Sequence, residues 1–214
     1  MELAELTQLR RLSVAHNRLA SVPRVLLAFE HLTALSLAHN AITSALPAWL
    51  SYSTRLEELR LEGNGFDGAV PRSWSALSSM RVLSLGSATF GGNAIAAIPD
   101  GVLSGMPKLE TLDVAGNRLE RLPDDAFGSS AYLRSVAVDG NKLDTLPETI
   151  AQAPRLSAVR AAHNLLCRLP RALAFCPALE VLDLSGNALC FVDMDLILAV
   201  AHSRVAVLLT GNPF

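Results

Sequence analysis

The sequence has few aromatic residues and no excess of either charge. Phenylalanine, tryptophan and tyrosine make up 5% of the 214 residues, and the formal net charge at pH 7 is −2. Such a balance gives no electrostatic case for nucleic acid or an anionic membrane surface as the partner. The most apolar stretch, residues 194–209, is interrupted by Asp195, His202 and Arg204. Since a membrane-spanning helix needs about 20 apolar residues, we predict no membrane span and no nucleic-acid binding.

Cysteine is also scarce, and the first residues lack the features of a secretory signal. Three cysteines are an odd number without a paired framework, which favours a reducing compartment. The opening MELAELTQLRRL has early acidic residues and no apolar core before a cleavage site, so we expect no signal peptide. These observations predict a cytoplasmic protein, with a cell-surface or secreted protein as the alternative.

The sequence contains no pattern typical of an enzyme active site. It has no nucleophile elbow, no glycine-rich phosphate loop and no residues spaced as metal ligands. We therefore expect a protein that is not an enzyme and that uses no cofactor or metal ion. With 50% apolar and 18% charged residues, the composition is nevertheless that of a globular chain with a sizeable core.

What the sequence has in abundance is one repeated pattern, Leu-x-x-Leu-x-Leu-x-x-Asn. It begins with LRRLSVAHN at 9–17 and LTALSLAHN at 32–40, and it recurs through LEVLDLSGN at 179–187. A longer fourth copy starts with MRVLSL at 80–85, and a degenerate ninth copy reads RVAVLLTGN at 204–212. The asparagines lie 23 to 25 residues apart with one gap of 29, at Asn17, Asn40, Asn64, Asn93, Asn117, Asn141, Asn164, Asn187 and Asn212.

This pattern resembles the leucine-rich repeat family, and the nine in-phase copies cover nearly the whole chain. The resemblance implies an α/β solenoid, or horseshoe, of about nine coils. It also implies a parallel sheet on the concave side and irregular, 3₁₀ or short helical segments on the convex side. The residues agree, because each copy has a short alternating segment that indicates a strand. No copy can bury its leucines alone, so neighbours must stack. We expect each asparagine to bind backbone groups of the turn.

The segments that return to the next copy follow three styles. LASVPRVL, LDTLPETI and LCRLPRAL resemble the intracellular type, and LERLPDDAF resembles the extracellular type. NGFDGAVPRSW at 64–74 resembles the plant-receptor type. Because the styles disagree, they do not decide the compartment. We expect residues 1–214 to form a single solenoid domain, monomeric and part of a longer protein, since neither end has a clear capping segment.

Histidine precedes the repeat asparagine in three copies, at His16, His39 and His163. Adjacent copies place His16 and His39 about 4.8 Å apart, but His163 is five copies further, roughly 24 Å away. Two histidines make a poor zinc site, because structural zinc takes four protein ligands and catalytic zinc takes three. Several other copies have glycine at this position. We interpret the three histidines as turn residues of the repeat.

The cysteines allow two interpretations. Cys167 and Cys190 each follow a repeat asparagine by three residues, so stacked copies bring them within disulfide range, roughly 5 Å apart. Cysteine is also often buried as a small apolar residue. Because Cys176 has no partner and no signal peptide is evident, we favour buried thiols over a disulfide.

The resemblance implies that a protein partner binds the concave face, where outward strand positions form three rows of mostly small residues. Two arginines are the candidate anchors, because arginine is frequent at binding hot spots. Arg60 is flanked by two glutamates, and Arg160 lies between two aspartates. The alternative is a ladder of salt bridges between strands. The candidate binding residues are Glu58, Arg60, Glu62, Asp113, Asp139, Arg160 and Asp183. A row of alternating sign beside them is expected to be a solvated ladder, namely Glu57, Arg81, Glu110 and Arg134.

One copy is five residues longer than its siblings and reads GSATFGGN between Leu85 and Asn93. Because loops carry function more often than cores do, Phe90 is a second candidate for partner binding. The alternative is a tolerated loop with Phe90 folded back. We expect Trp74 to lie in the core, since it occupies a leucine position, and Trp49 to be partly exposed.

These observations predict a noncatalytic protein-interaction scaffold or recognition module in intracellular signalling or complex assembly. Two alternatives remain open. One is the recognition region of a larger enzyme, such as a kinase, a phosphatase or a ubiquitin ligase assembly. The other is a receptor-like extracellular ligand-binding domain, which the segment 64–74 suggests.

Overall fold

The computed structural model describes residues 8–87 and 92–191, Leu198 and residues 205–214. Eleven short strands lie within these residues, and all except β4 and β6 form one parallel sheet in chain order. We number the coils 1 to 9 after the nine repeat asparagines. The strands are β1 (Arg11–Ser13), β2 (Ala34–Ser36), β3 (Glu58–Arg60), β4 (Asp67–Ala69), β5 (Val82–Ser84), β6 (Ala94–Ala97), β7 (Thr111–Asp113), β8 (Ser135–Ala137), β9 (Ala158–Arg160), β10 (Val181–Asp183) and β11 (Ala206–Leu208).

The sheet keeps one register because every strand uses the same three positions of the repeat. The central residues pair in one line from Leu12 through Leu35 and Leu59 to Val207. Successive side chains of a strand point to opposite faces, so these residues point into the solenoid. From β2 to β10 each is at most 1% exposed. The solenoid with a parallel sheet, predicted from the sequence, is confirmed.

On the convex side, proline starts a single 3₁₀ turn in five coils. Proline has a fixed φ and no N–H, which suits the start of such a turn. In coil 3 the N–H of Trp74 donates to the carbonyl of Pro71 at 3.0 Å, and its indole Nε1 donates to Pro47 at 3.1 Å. Trp74 is fully buried and Trp49 is half-buried against the core, as predicted. The 3₁₀ helices are Arg24–Ala28, Ala48–Tyr52, Arg72–Ala76, Glu148–Gln152 and Arg171–Phe175.

The repeat asparagines connect each coil to the one before it. Asn141 Oδ1 accepts the N–H of Leu119 at 3.0 Å, and Asn141 Nδ2 donates to Val138 and to Val114 of the preceding coil, each at 2.9 Å. An equivalent set of bonds holds at every repeat asparagine from Asn40 to Asn212. Each asparagine thus satisfies backbone groups that the turn would otherwise leave unpaired. Their predicted structural role is confirmed.

The three histidines lie at the turn that precedes these asparagines, in left-handed backbone conformation. Their φ angles are +57° at His16, +53° at His39 and +54° at His163, and glycine holds the same conformation in most other coils. Glycine adopts positive φ without cost, and histidine is enriched there among the remaining residues. The rings of His16 and His39 stack with centroids 4.5 Å apart. The interpretation as turn residues is confirmed.

The expectation of buried thiols is wrong for two of the three cysteines. Cys167 and Cys190 are exposed free thiols, and only Cys176 is buried. The apolar residue two places after each asparagine points into the core, as Leu166 and Leu189 do, so the following residue points outwards. Burial raises the pKa of the Cys176 thiol to about 11.

Two strands, β4 and β6, form a second parallel sheet beside the main one. Ala45 of coil 2 extends it through a single bridge to Asp67. Coils 2 and 3 have seven residues from the asparagine to the proline, whereas coils 1 and 4 to 7 have six. The register of the two strands shifts between Gly68 and Ala69 of coil 3, the longer of the two coils that form this sheet. Among the described residues, no helix is long and apolar enough to cross a membrane.

Candidate recognition surface

The concave face is built from the residues on either side of the central leucines. Small side chains dominate it, and several lie close to the backbone, as Ser84 and Ala162 do at 5% and 8% exposure. The strand repeat explains this, because a curved parallel sheet brings neighbouring side chains to about 4.8 Å from one another. The surface is therefore shallow and open along the stack, with charged side chains standing above it.

In coils 1 to 3 the charged residues of this face bind one another. Glu58 accepts a hydrogen bond from Arg60 Nε at 2.5 Å and from Arg11 at 3.3 Å. These three residues border an open pocket of about 430 Å³ that Ser13 and Ser36 also line. The predicted salt-bridge ladder therefore exists here, and Arg60 is not an isolated anchor. Glu62, the other predicted partner of Arg60, instead has a buried Oε2 atom to which no described residue donates a hydrogen bond.

In coils 5 to 8 three aspartates of this face bind the backbone. Asp113 Oδ1 accepts the N–H of Ala115 at 3.0 Å, and Asp139 Oδ1 accepts the N–H of Ala162 in the next coil at 2.9 Å. Asp183 Oδ1 accepts the N–H of Ser185 at 3.0 Å. Each carboxylate thereby binds the backbone just beyond the end of a strand.

Burial shifts the acidity of two of these aspartates. Desolvation raises the pKa of Asp113 to about 6, opposed by its hydrogen bond from Ala115 and reinforced by the charges of Glu62 and Asp139. Desolvation also raises the pKa of Asp139. Arg160 lowers both pKa values by its charge, but it makes no ion pair within 4.0 Å in the described part of the chain. The acids outnumber the cations in this half of the face.

The predicted ladder at the other end of the strands forms over three coils. Arg81 bonds Glu110 at 2.7 Å and lies 3.9 Å from Glu57. The hydrogen bond to Glu110 is the main reason why the pKa of Arg81 is raised. No described ion pair extends this ladder to Arg134. Exposed pairs of this kind contribute little stability, so we assign the row no binding role.

Glycines occupy the positions where the long insertion begins and ends, Gly86 and Gly92. The candidate Phe90 between them lies outside the described residues. A Cβ atom on Gly86 would lie 2.0 Å from the carbonyl oxygen of Ala115, and one on Gly92 would lie 2.2 Å from that of Gly116. Any side chain at either position would collide with the turn of coil 5. Glycine is therefore required where the insertion leaves and rejoins the template.

A groove that the sequence did not indicate lies beside the second sheet. It has a volume of about 500 Å³ and runs from β6 across the return segment of coil 5 to that of coil 6. Coil 4 contributes Ala96 and Ala97 to its lining, coil 5 contributes Glu120, Arg121 and Leu122, and coil 6 contributes Asp144, Thr145 and Pro147.

These features define a repeat solenoid with an open concave sheet, the architecture of a protein-interaction module. The leucine rich repeat family profile matches residues 7–66, 89–143 and 107–166, which is more than half of the sequence. The chain therefore belongs to the leucine-rich repeat family.

Two proteins of similar sequence are plant receptor-like proteins. The chain is 33% identical to Receptor-like protein 35 and 34% identical to Receptor-like protein 34, both from Arabidopsis thaliana, over 39% and 40% of its length. These matches span only 9% of each relative.

Solved receptor ectodomains have the same fold. The ectodomain of the Arabidopsis thaliana receptor kinase GASSHO1/SCHENGEN3, solved in complex with CASPARIAN STRIP INTEGRITY FACTOR 2, superimposes with a TM-score of 0.87 at 25% identity. That match covers 98% of this chain and 25% of the ectodomain. The plant peptide hormone receptor RGFR1 in complex with RGF2 gives a TM-score of 0.84 at 21% identity, over 98% of this chain and 33% of the receptor.

Proposed function

We propose that this chain is the noncatalytic ligand-recognition region of a receptor-like protein and that a peptide or protein binds its concave face. The observation that carries the proposal is the open nine-stranded sheet, whose charged residues stand above a floor of small side chains. Such a shallow track fits an extended ligand better than a compact small molecule, which prefers an enclosed apolar pocket.

The similarity to receptors supports a place at the cell surface. The sequence predicted a cytoplasmic protein, but that prediction rested on cysteine count and on the first residues, and the named relatives do not support it. The plant-receptor style of residues 64–74 agrees with the extracellular alternative, since this segment contains β4 of the second sheet. We propose that residues 1–214 are one part of a longer receptor-like chain.

The ligand groups that this face favours follow from its charges. Coils 5 to 8 contribute the partly desolvated carboxylates of Asp113, Asp139 and Asp183, so they favour cationic ligand groups. Arg160 stands in the same region and offers one site for a ligand carboxylate. Coils 1 to 3 contribute Glu58 and Arg60, already paired, and Glu62, whose buried oxygen has no donor within the described ranges. Phe90 stays a prediction as a second contact.

The test compares ligand binding by the purified chain with binding by variants that remove charges from the concave face or, as a control, from the convex side. We expect Arg60→Ala/Arg160→Ala and Asp113→Asn/Asp183→Asn to weaken capture of a specific protein or peptide from an extracellular fraction. The matched control is Arg24→Ala/Arg72→Ala, which removes two exposed arginines from convex 3₁₀ helices. Retention of every specific ligand by both concave variants, with folding confirmed by circular dichroism, would count against the proposal.

A second candidate is the recognition region of a larger enzyme. The likeness to the ectodomain of a receptor kinase favours it, since such a chain would continue into a catalytic domain. Sequencing the full-length transcript decides between the two. An open reading frame with a catalytic domain after a membrane span supports the enzyme, and one that ends without it supports a receptor-like protein.

A further inference from the structure

A row of surface residues lies at the N-terminal ends of the strands, directly before the first leucine of each repeat. In coils 2 to 7 this leucine, or Met80 in coil 4, is at most 2% exposed. Its N–H donates to the carbonyl three residues earlier, as Leu56 does to Ser53 at 2.9 Å and Leu109 to Met106 at 3.0 Å. The same turn therefore holds the preceding residue outside the core in each of these coils. We call these residues the outer row, and they are His31, Arg55, Ser79, Lys108, Tyr132 and Arg155.

The outer row contains three cations and no acid. Arg55, Lys108 and Arg155 are exposed, and none of them has an ion pair within 4.0 Å in the described part of the chain. Arg55 donates to Nδ1 of His31, and Arg155 lies over the ring of Tyr132. Because neither contact supplies a negative charge, the outer row is positively charged, although the whole chain has a net charge of −2.

Backbone hydrogen bonds between the coils set the spacing of these cations. Beside the outer row, the N–H of Arg81 donates to the carbonyl of Glu57 at 2.7 Å, and the N–H of Arg134 donates to that of Glu110 at 2.8 Å. Paired strands lie about 4.8 Å apart, and the three cations fall in coils 3, 5 and 7, so successive cations are roughly 10 Å apart. The row thus spans roughly 20 Å, the length of an extended segment of about six residues.

An open cleft lies between the outer row and the ladder of alternating charges. It has a volume of about 430 Å³, and residues of both rows line it, namely Ser79, Lys108, Tyr132, Glu57, Arg81 and Glu110. Arg81 lies within ion-pair distance of both acids, so Lys108 is the lining cation whose charge is left for a ligand. Tyr132 is 47% exposed, and the guanidinium carbon of Arg155 lies 5.2 Å from the centre of its ring. Tyrosine and arginine are the residue types that often dominate binding at protein interfaces.

We propose that an extended acidic segment of a partner protein binds the outer row, with its carboxylates at Arg55, Lys108 and Arg155 and a side chain in the cleft against Tyr132. Complementary charge gives such a contact its specificity. A polysaccharide with a charge on every unit would pair best with a cation in every coil, whereas this row has one in every second coil. The row lies at the N-terminal ends of the strands, and Asp113 ends its strand at the other side. This second interaction surface does not depend on the proposed concave site.

The experiment selects linear peptides from a display library with the whole chain, after removal of those that also bind Lys108→Glu/Arg155→Glu. Fluorescence anisotropy then measures a synthetic form of the best peptide against the unmodified chain, Lys108→Glu/Arg155→Glu and Tyr132→Ala. The matched control is Arg24→Glu/Arg72→Glu, which makes the same change of charge at exposed arginines of convex 3₁₀ helices. Thermal unfolding of each variant confirms that it folds, and polygalacturonate is measured as a polysaccharide competitor.

We expect the selected peptides to be rich in aspartate and glutamate and to bind more weakly as salt is added. Lys108→Glu/Arg155→Glu should weaken binding at least about tenfold and Tyr132→Ala about threefold, while the control stays within about twofold. The proposal is overturned if no peptide remains after the subtraction or if the remaining peptides are not acidic. It is equally overturned if Arg60→Ala/Arg160→Ala weakens binding more than the outer-row variant does, which would place the peptide on the concave face. Tighter binding of polygalacturonate than of any selected peptide, through the same residues, would assign the row to an anionic polysaccharide instead.

Discussion

The two halves of the concave face use their charges in different ways. In coils 1 to 3, Arg11 and Arg60 bond to Glu58, so these side chains satisfy one another above the sheet. In coils 5 to 8, Asp113 and Asp139 accept backbone N–H groups at the strand ends and are partly desolvated. Coil 4, with its insertion, separates the two halves.

This difference separates the charged side chains that stabilise the fold from those that do not. A solvent-exposed ion pair contributes little to stability, because water solvates each charge almost as favourably as the oppositely charged partner does. A half-buried carboxylate that caps a backbone N–H affects stability directly, because its loss leaves a buried donor unpaired. Substitutions in the first half should therefore report on binding alone. Substitutions in the second half should report on binding and on stability together.

The largest effect should come from Gly86→Ala, at the boundary between the halves. The new Cβ would lie 2.0 Å from the carbonyl oxygen of Ala115, so coil 5 would have to move. We expect a loss of about 2–3 kcal/mol in the free energy of unfolding, measured by urea denaturation. Gly128→Ala is the control, because its Cβ would meet its nearest atom, Gln152 Oε1, at 3.4 Å. Equal stability of the two variants would show that coil 4 does not fix the position of coil 5.

The next largest effect should separate the hydrogen bond of Asp139 from its charge. Asp139→Ala removes the acceptor for the N–H of Ala162, which is 8% exposed, and should cost about 1–2 kcal/mol. Asp139→Asn keeps an oxygen at the same place without the charge, so we expect it to be close to neutral in stability. Chemical denaturation at pH 7 measures both variants. Equal losses for alanine and asparagine would mean that the charge, and not the hydrogen bond, stabilises the strand end.

A smaller effect should appear as a pH dependence that belongs to the second half. Asp113 has a pKa of about 6 in the folded chain against an ordinary value of 3.8, so the folded state binds its proton more tightly. Its contribution is complete below pH 3.8 and is lost as the pH rises through about 6. After discounting for solvent screening, we expect a change of the order of 1 kcal/mol.

The measurement is the difference in unfolding free energy between the unmodified chain and Asp113→Asn across that pH range. Using the difference isolates Asp113 together with its coupling to Asp139, whose pKa is raised in the same direction. Glu58→Gln, in the first half, is the control. A pH profile that Asp113→Asn leaves unchanged would contradict the assignment of the titration to this residue.

The repeat pattern predicted the fold because the residues that form the strand, the turn and the core recur in every coil. The alternating leucines predicted the strands, the asparagines predicted the hydrogen-bonded ladder, and the position of Trp74 predicted its burial. The cysteines show the limit of the same reasoning. Residues two and three places after the asparagine differ by one position in sequence but lie on opposite sides of the coil surface, so Leu166 is buried and Cys167 is exposed.

The candidate site was less predictable, because it depends on rotamers and on contacts between coils. The sequence placed Arg60 between Glu58 and Glu62, but the side chain bonds only to Glu58. The capping bonds of the aspartates require the exact distance to a neighbouring backbone N–H, which spacing alone does not give. The groove beside β6 also escaped prediction, because it arises where one coil stops matching the next.

The smallest effect should be the coupling between Glu58 and Arg60 in the first half. Their bond is short, at 2.5 Å, but 43% of the Arg60 side chain and 27% of the Glu58 side chain are exposed. Water therefore competes for both charges, and Arg11 competes for the same carboxylate. A double-mutant cycle with Glu58→Gln and Arg60→Ala should give a coupling of about 0.5 kcal/mol or less, which high salt should abolish. A coupling well above about 1 kcal/mol that persists in high salt would mean that this half is structural as well, and the contrast between the two halves would fail.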